Sequence, residues 1–132
     1  MKPVLFLITF LALSRIAIAQ KEPGVTDHIQ GLHIDKTSCD LGTLTWGKPV
    51  TISFVLTNER DEPLVITNAK GSCKCTKAEY DPSPVLPGKS TVVKAVFDGK
   101  FPGAFQQTVY VTTNFSKEVI ALRLKGTVIE EK

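Results

Sequence analysis

The chain has 132 residues and a formal net charge of +3, which is enough for one domain with its own core, so stabilising disulfides are optional. The nearly even balance of acidic and basic residues argues against a nucleic-acid partner, which would need a basic stripe, and does not indicate a polybasic membrane-binding surface. The cysteine count of 3 is odd, so at least one thiol is free, bound to metal or paired with another molecule.

The first 19 residues have the pattern of a secretory signal peptide. Lys2 supplies the positive start, a short apolar run covers residues 3–14, and Ala17-Ile18-Ala19 gives the small-x-small pattern before Gln20. We therefore predict cleavage between Ala19 and Gln20, with an uncleaved N-terminal anchor as the alternative. The apolar run meets Arg15 too early to span a bilayer, so we expect no stable membrane span after its removal.

Export decides the compartment and the redox environment of the mature chain. Removal of residues 1–19 takes away two positive charges and brings the net charge close to neutral. We expect a periplasmic or secreted protein of the bacterial envelope, where thiols tend to pair.

The sequence pattern of the mature chain predicts β-strands. Residues 20–30 carry Pro, Gly and mixed charges without periodicity, which predicts a flexible leader. The domain over residues 31–129 opens with a kinked edge strand between Leu32 and Leu44, and residues 130–132 form a solvated tail. Period-two alternation and β-branched runs predict further strands or extended pieces over 50–57, 64–67, 76–80, 85–86, 91–98, 105–113 and 120–128.

No helical period follows the signal peptide. About seven short strands, separated by turns at intervals of about 8–12 residues, predict an all-β fold. The expected architecture is an immunoglobulin-like antiparallel β-sandwich without the inter-sheet disulfide of antibody domains.

The stretch Gly71-Ser72-Cys73-Lys74-Cys75-Thr76 is the one place where the sequence concentrates chemistry. If it were extended, both thiols would lie on one face with Cα atoms about 6.6 Å apart, at the upper edge of disulfide geometry. A Cys73–Cys75 bridge would then be strained and redox-active. Two thiolates could instead hold Cu(I) or Zn²⁺, with Cys39 assisting. Three lysines favour thiolate over thiol here: Lys70, Lys74 and Lys77.

Cys39 decides between these alternatives. A disulfide from Cys39 to Cys73 or Cys75, or a structural cluster of the three thiols, is the interpretation we favour. A redox-active Cys73–Cys75 bond, a Cu(I) or Zn site and inert packed thiols remain open. His28 and His33 are expected to be exposed rather than metal ligands, and Trp46 to be an aromatic of a turn or rim.

Seven short motifs occur in order over roughly residues 38 to 128: Asp40-Leu41-Gly42-Thr43-Leu44, Phe54-Val55-Leu56-Thr57-Asn58, Glu62-Pro63-Leu64-Val65-Ile66, Gly71-Ser72-Cys73-Lys74-Cys75-Thr76, Leu86-Pro87-Gly88-Lys89-Ser90, Val96-Phe97-Asp98 and Val111-Thr112-Thr113-Asn114. The ordered set resembles a bacterial family known as domain of unknown function 1573. The resemblance implies an exported, small immunoglobulin-like fold and no enzyme activity. This chain departs from the family pattern at Lys74, where Gly is usual, and at Cys39, where an aromatic is frequent.

The sequence contains no phosphate-binding loop, nucleophile elbow or zinc-protease motif, so we expect no enzyme. The leading hypothesis is an exported immunoglobulin-like module that binds a protein partner or associates structurally, through an exposed sheet edge and without a cofactor. The alternative hypothesis is a periplasmic thiol protein that handles Cu(I), Zn or redox equivalents through Cys73 and Cys75.

Overall fold

A computed structural model describes residues 24–26 and 28–130. The predicted signal peptide and its cleavage site between Ala19 and Gln20 lie outside the described residues. The described part of the chain forms nine strands. In chain order they are β1 (Val25–Thr26), β2 (Leu32–Ile34), β3 (Ser38–Thr45), β4 (Val50–Asn58), β5 (Ile66–Gly71), β6 (Thr76–Tyr80), β7 (Ser90–Phe97), β8 (Gly103–Thr113) and β9 (Ser116–Ile129).

The strands form two sheets that face each other. The first sheet has the order β1-β9-β8-β5, and β3 also pairs with β9; the second sheet has the order β2-β4-β7-β6. β1 and β3 run parallel to β9, whereas every other strand pairing is antiparallel. The predicted all-β immunoglobulin-like sandwich is confirmed. Within the described residues no helix is long and apolar enough to cross a membrane.

Strand alternation builds the core, because side chains of one parity point between the sheets. Complete burial of each large apolar side chain contributes about 1.5–3 kcal/mol relative to exposure. The inward rows of the four central strands supply most of it: Ile52, Phe54 and Leu56 on β4, Val93, Ala95 and Phe97 on β7, Val109 and Val111 on β8, and Ile120, Leu122, Leu124 and Val128 on β9.

The end of the predicted leader is ordered, which differs from the expectation. Val25 and Thr26 pair in parallel with Val119 and Ile120 of β9. The reason is that β3 begins beside Arg123 and leaves the first part of β9 uncovered, so β1 occupies that edge. Ile29, only 4% exposed, adds to the core. The predicted solvated tail agrees with the exposure of Glu130 after β9; residues 131 and 132 lie outside the described part.

The predicted kinked strand between Leu32 and Leu44 is two strands in different sheets. β2 belongs to the second sheet and β3 to the first. Asp35 ends β2 by binding the neighbouring strand twice: its N–H donates to the Val55 carbonyl oxygen at 3.1 Å, and its Oδ1 accepts the Val55 N–H at 2.9 Å. Gly42, at φ +66°, sits where the register of β3 against β9 shifts. The kink predicted from the sequence is therefore the place where the chain passes from the second sheet to the first.

Candidate functional site

The segment Gly71–Thr76 is the turn by which the chain crosses from the first sheet to the second. β5 is an edge strand of the first sheet and β6 of the second, so the crossing lies at one side of the sandwich. Gly71 permits it, because a Cβ there would collide with the carbonyl oxygen of Thr76. The Thr76 N–H donates to the Cys73 carbonyl oxygen at 3.3 Å and closes the turn. Residues 72–75 are thus a turn, not the extended strand considered from the sequence.

Cys73 and Cys75 form a disulfide across this turn. Their Cα atoms are 5.3 Å apart, well inside the usual disulfide range, because the turn shortens the extended separation. Both residues are half-buried, but they face different surroundings. Cys75 packs against the hydrophobic core, whereas Cys73 lines an open cleft. The two sulfurs are therefore chemically distinct.

The cleft beside Cys73 lies between the edges of β5 and β6. It has a volume of about 470 Å³ and is lined by residues of both strands and of the turn. Three of the lining side chains are lysines: Lys70, Lys74 and Lys77. Among the ion pairs of the described residues, one involves a lysine of this cleft. Lys77 Nζ lies 3.7 Å from a carboxylate oxygen of Glu79, which is exposed to solvent. The cleft is therefore a positively charged approach to the disulfide.

Cys39 lies across the first sheet from the disulfide, and the expected bridge from Cys39 does not form. Cys39 pairs with Leu124 on β9, and Leu124 pairs with Gln107 on β8. The Cys73 turn follows β5, so three strand spacings of about 4.8 Å put Cys39 roughly 14 Å from Cys73. A disulfide cannot bridge that gap. Cys39 is instead a half-buried free thiol, and the three sulfurs do not converge on a metal.

Metal binding has no further support from neighbouring side chains. In the part of the chain that the structure describes, no group of three or more His, Cys, Asp or Glu side chains could hold a metal ion. His28 and His33 are exposed near the start of the domain. Trp46 is 52% exposed on the β3–β4 turn, where its indole N–H donates to the Lys100 carbonyl oxygen at 2.8 Å.

Gln107 belongs to the site and was missed from the sequence. Its Oε1 lies 3.1 Å from Cys73 Sγ and accepts the Ser72 hydroxyl at 2.8 Å. A disulfide sulfur has no hydrogen to donate, so the contact with Cys73 becomes a hydrogen bond only when Cys73 is reduced. The available signal was the polar side chain of Gln107 among the apolar residues of the inward row of β8. Its neighbours in that row are Phe105, Val109 and Val111, and the row ends at the buried Thr113.

The outer edge of β4 is a second candidate site. β2 pairs only with residues 56–58 of β4, and Asp35 forms hydrogen bonds with the N–H and the carbonyl oxygen of Val55. The Asn58 N–H donates to the Lys89 carbonyl oxygen on the β7 side. Successive residues of an antiparallel strand direct their main-chain groups to opposite sides. The N–H and C=O groups of Thr51 and Ser53 therefore point away from β7. No strand of the described residues pairs with them. Four backbone groups therefore form an open edge.

The other edges carry features that discourage pairing with another strand. β2 has three residues, β3 is irregular at Gly42, and β5 has a register shift between Ile66 and Asn68. β6 is five residues long and carries Lys77 and Glu79. By contrast, β4 keeps a regular register over Val50–Thr57 and has no charged residue or proline. Flat, uncharged edges are those that accept a further strand.

A family model described as "Protein of unknown function (DUF1573)" matches residues 32–128. No protein of curated function matches the sequence significantly. A protein of unknown function from Porphyromonas gingivalis W83 superimposes with a TM-score of 0.63 at 18% identity, over 81% of this chain and 51% of that one. The ASH / PapD-like domain 7 of human CEP192 gives 0.62 at 14% identity, over 84% and 94% of the two chains.

The VesB protease of Vibrio cholerae gives a TM-score of 0.61 at 20% identity, over 77% of this chain and 33% of that chain. The chain thus spans about half of the Porphyromonas structure and a third of VesB. At these identities the likeness shows the fold alone.

Proposed function

The chain belongs to the DUF1573 family of proteins of unknown function, and from that premise we propose that it is an exported, non-enzymatic immunoglobulin-like module that binds a protein partner. The partner would contribute an extended strand to the open edge of β4. The N-terminal signal pattern supports action in the bacterial envelope, in the periplasm or after secretion.

The unpaired main chain of Thr51 and Ser53 carries this proposal. An added strand would continue the line of β2 along β4 and complete the edge that β2 leaves uncovered. The four open groups can make four main-chain hydrogen bonds, each with a net contribution of about 0.5–1.5 kcal/mol. Ordering the partner strand opposes this gain, so side-chain contacts must supply the rest of the affinity.

The surface beside this edge indicates which strands would fit. Half-buried apolar side chains lie at the β2–β3 side of the sandwich: Ile34, Leu41, Leu44 and Val50. In a strand added to β4, alternate side chains would point toward these residues while the others face solvent. The partner segment is therefore expected to alternate apolar and polar residues, as in strand-addition recognition generally.

Site-specific photo-crosslinking in the producing bacterium tests the proposal. A photoreactive amino acid replaces Thr51 on the open edge, and the matched control carries it in place of Lys77 on β6 at the other side of the sandwich. We expect a protein adduct specific to position 51. Ser53→Pro removes one outward N–H and should abolish the adduct, whereas Ser53→Ala keeps that N–H and should retain it.

An adduct of equal yield from position 77, or one that survives Ser53→Pro in a folded variant, would overturn strand addition at β4. If Ser53→Pro unfolds the domain, amide hydrogen exchange of the wild-type protein with the captured partner decides instead. Strand addition predicts slower exchange at Thr51 and Ser53 in the complex, and unchanged rates would contradict it.

A further inference from the structure

We propose that the Cys73–Cys75 disulfide is an exchangeable redox bond that accepts electrons from paired thiols of an exported protein. This activity is separate from the strand-binding edge of β4 and does not depend on it. The inference rests on three features: the turn, the cleft beside it and the different surroundings of the two sulfurs.

The turn does not need the covalent bond to keep its shape. The Ser72 N–H donates to the Thr108 carbonyl oxygen at 2.8 Å, which anchors the turn to β8. The Asp98 N–H donates to the Cys75 carbonyl oxygen at 3.0 Å, which anchors its other end to the second sheet. A disulfide that closes a loop of only three residues removes little conformational freedom from the unfolded chain. The bond can therefore open without loss of the fold.

The reduced state would be stabilised at Cys73. The Cys75 N–H donates to Cys73 Sγ at 3.3 Å, and Gln107 lies 3.1 Å from the same sulfur. The carboxamide oxygen of Gln107 can accept a hydrogen bond from a Cys73 thiol or, after rotation, its N–H can donate one to the Cys73 thiolate. The lysines that line the cleft favour the thiolate and attract an anionic sulfur.

The exchange has two balanced steps. A thiolate of the partner enters the cleft and attacks Cys73 Sγ, the Cys73–Cys75 bond breaks, and its electron pair leaves on Cys75, which takes up a proton. The second thiolate of the partner then attacks the partner sulfur of the mixed disulfide and releases Cys73 as a thiolate, which takes up a proton that the partner thiols released to solvent. Overall, two partner thiols become one disulfide, and one disulfide of this chain becomes two thiols. Each molecule of this chain reacts once.

Disulfide transfer by the oxidised full chain tests this directly and needs no substitution. The probe is a synthetic peptide with two reduced thiols, mixed with one equivalent of protein. We expect the peptide to become oxidised while Cys73 and Cys75 become alkylatable thiols in equal amount. An intact Cys73–Cys75 bond after incubation with excess peptide would overturn the proposal.

Single-thiol variants test the assignment of the two sulfurs. In a Cys39→Ser background, Cys75→Ser leaves Cys73 as the only thiol and Cys73→Ser leaves Cys75. The Cys73 thiol should react with glutathione disulfide at least about tenfold faster, because it faces the cleft whereas Cys75 packs on the core. Equal rates, or a faster Cys75, would contradict the roles given to the two residues.

Discussion

Reduction of the Cys73–Cys75 bond should leave the domain almost as stable as before. The bond joins residues that are two positions apart, so the loop it closes contains three residues. Chain-entropy theory gives such a loop about 1.6 kcal/mol of stabilisation at 25 °C, against roughly 3.8 kcal/mol for the 35-residue loop that a Cys39–Cys73 bridge would close. The two pairings therefore predict clearly different losses on reduction.

Urea unfolding followed by circular dichroism, with and without dithiothreitol, measures this difference. The wild-type chain is measured first, so that either pairing would show its own loss, and the Cys39→Ser variant, which can form only the Cys73–Cys75 bond, should lose the same amount on reduction. We expect the free energy of unfolding to fall by about 1.6 kcal/mol or less, with an unchanged denaturant slope. The Cys73→Ser/Cys75→Ser variant in the same background should behave like the reduced protein. A loss above about 3 kcal/mol would refute the reasoning, because it would assign the bond a structural role that a three-residue loop cannot supply.

Two further predictions concern groups that shape the domain. Asn58→Ala should lower the free energy of unfolding by roughly 2–4 kcal/mol, because the buried amide donates to the carbonyl oxygens of Glu62 at 2.7 Å and Val85 at 2.9 Å; a loss below about 1 kcal/mol in urea unfolding would show that water replaces these bonds. Gly71→Ala should lose roughly 2–3 kcal/mol, because its Cβ would meet backbone across the turn. Gly42→Ala is the control, with open space and φ +66°, and should lose only about 1 kcal/mol in the same urea unfolding assay. Equal losses for the two glycine variants would contradict the close approach at Gly71.

The strands of the core could be predicted because their inward rows are mostly apolar, with few polar members such as Asn58 on β4 and Gln107 and Thr113 on β8. In β4 the alternation of Ile52, Phe54 and Leu56 with polar neighbours defines both the strand and its buried face. Buried and more exposed residues also alternate along β7 and β8, although the outward row of β7 contains Val92 and Val96 as well as Lys94. The family assignment also rests on local motifs, and the match over residues 32–128 confirms it.

The assignment of strands to sheets could not be predicted, because a period of two does not show which neighbour a strand pairs with. Residues 32–45 have one β-like pattern, yet Asp35 divides them between the two sheets. The open edge of β4 follows from that early end of β2. The open edge depends on the Asp35 side chain, which accepts the Val55 N–H of β4. A contact of this kind leaves no periodic pattern in the sequence.

The cysteine pairing depends on geometry that lies beyond the local sequence. Cys73 and Cys75 come together because Gly71 lets the chain turn between the sheets. Cys39 stays apart because β9 and β8 lie between it and the turn. The spacing of the cysteines along the chain predicts neither the turn at Cys73 and Cys75 nor the separation of Cys39 from it.

Amide hydrogen exchange of the isolated protein tests the central claim most directly, since the proposed binding edge exists only if the main chain of β4 is open there. We predict fast exchange at Thr51 and Ser53, and slow exchange at Ile52 and Phe54, whose N–H groups face β7. Strong protection of Thr51 and Ser53 in the monomer would contradict the account, because it would mean that the edge is already paired.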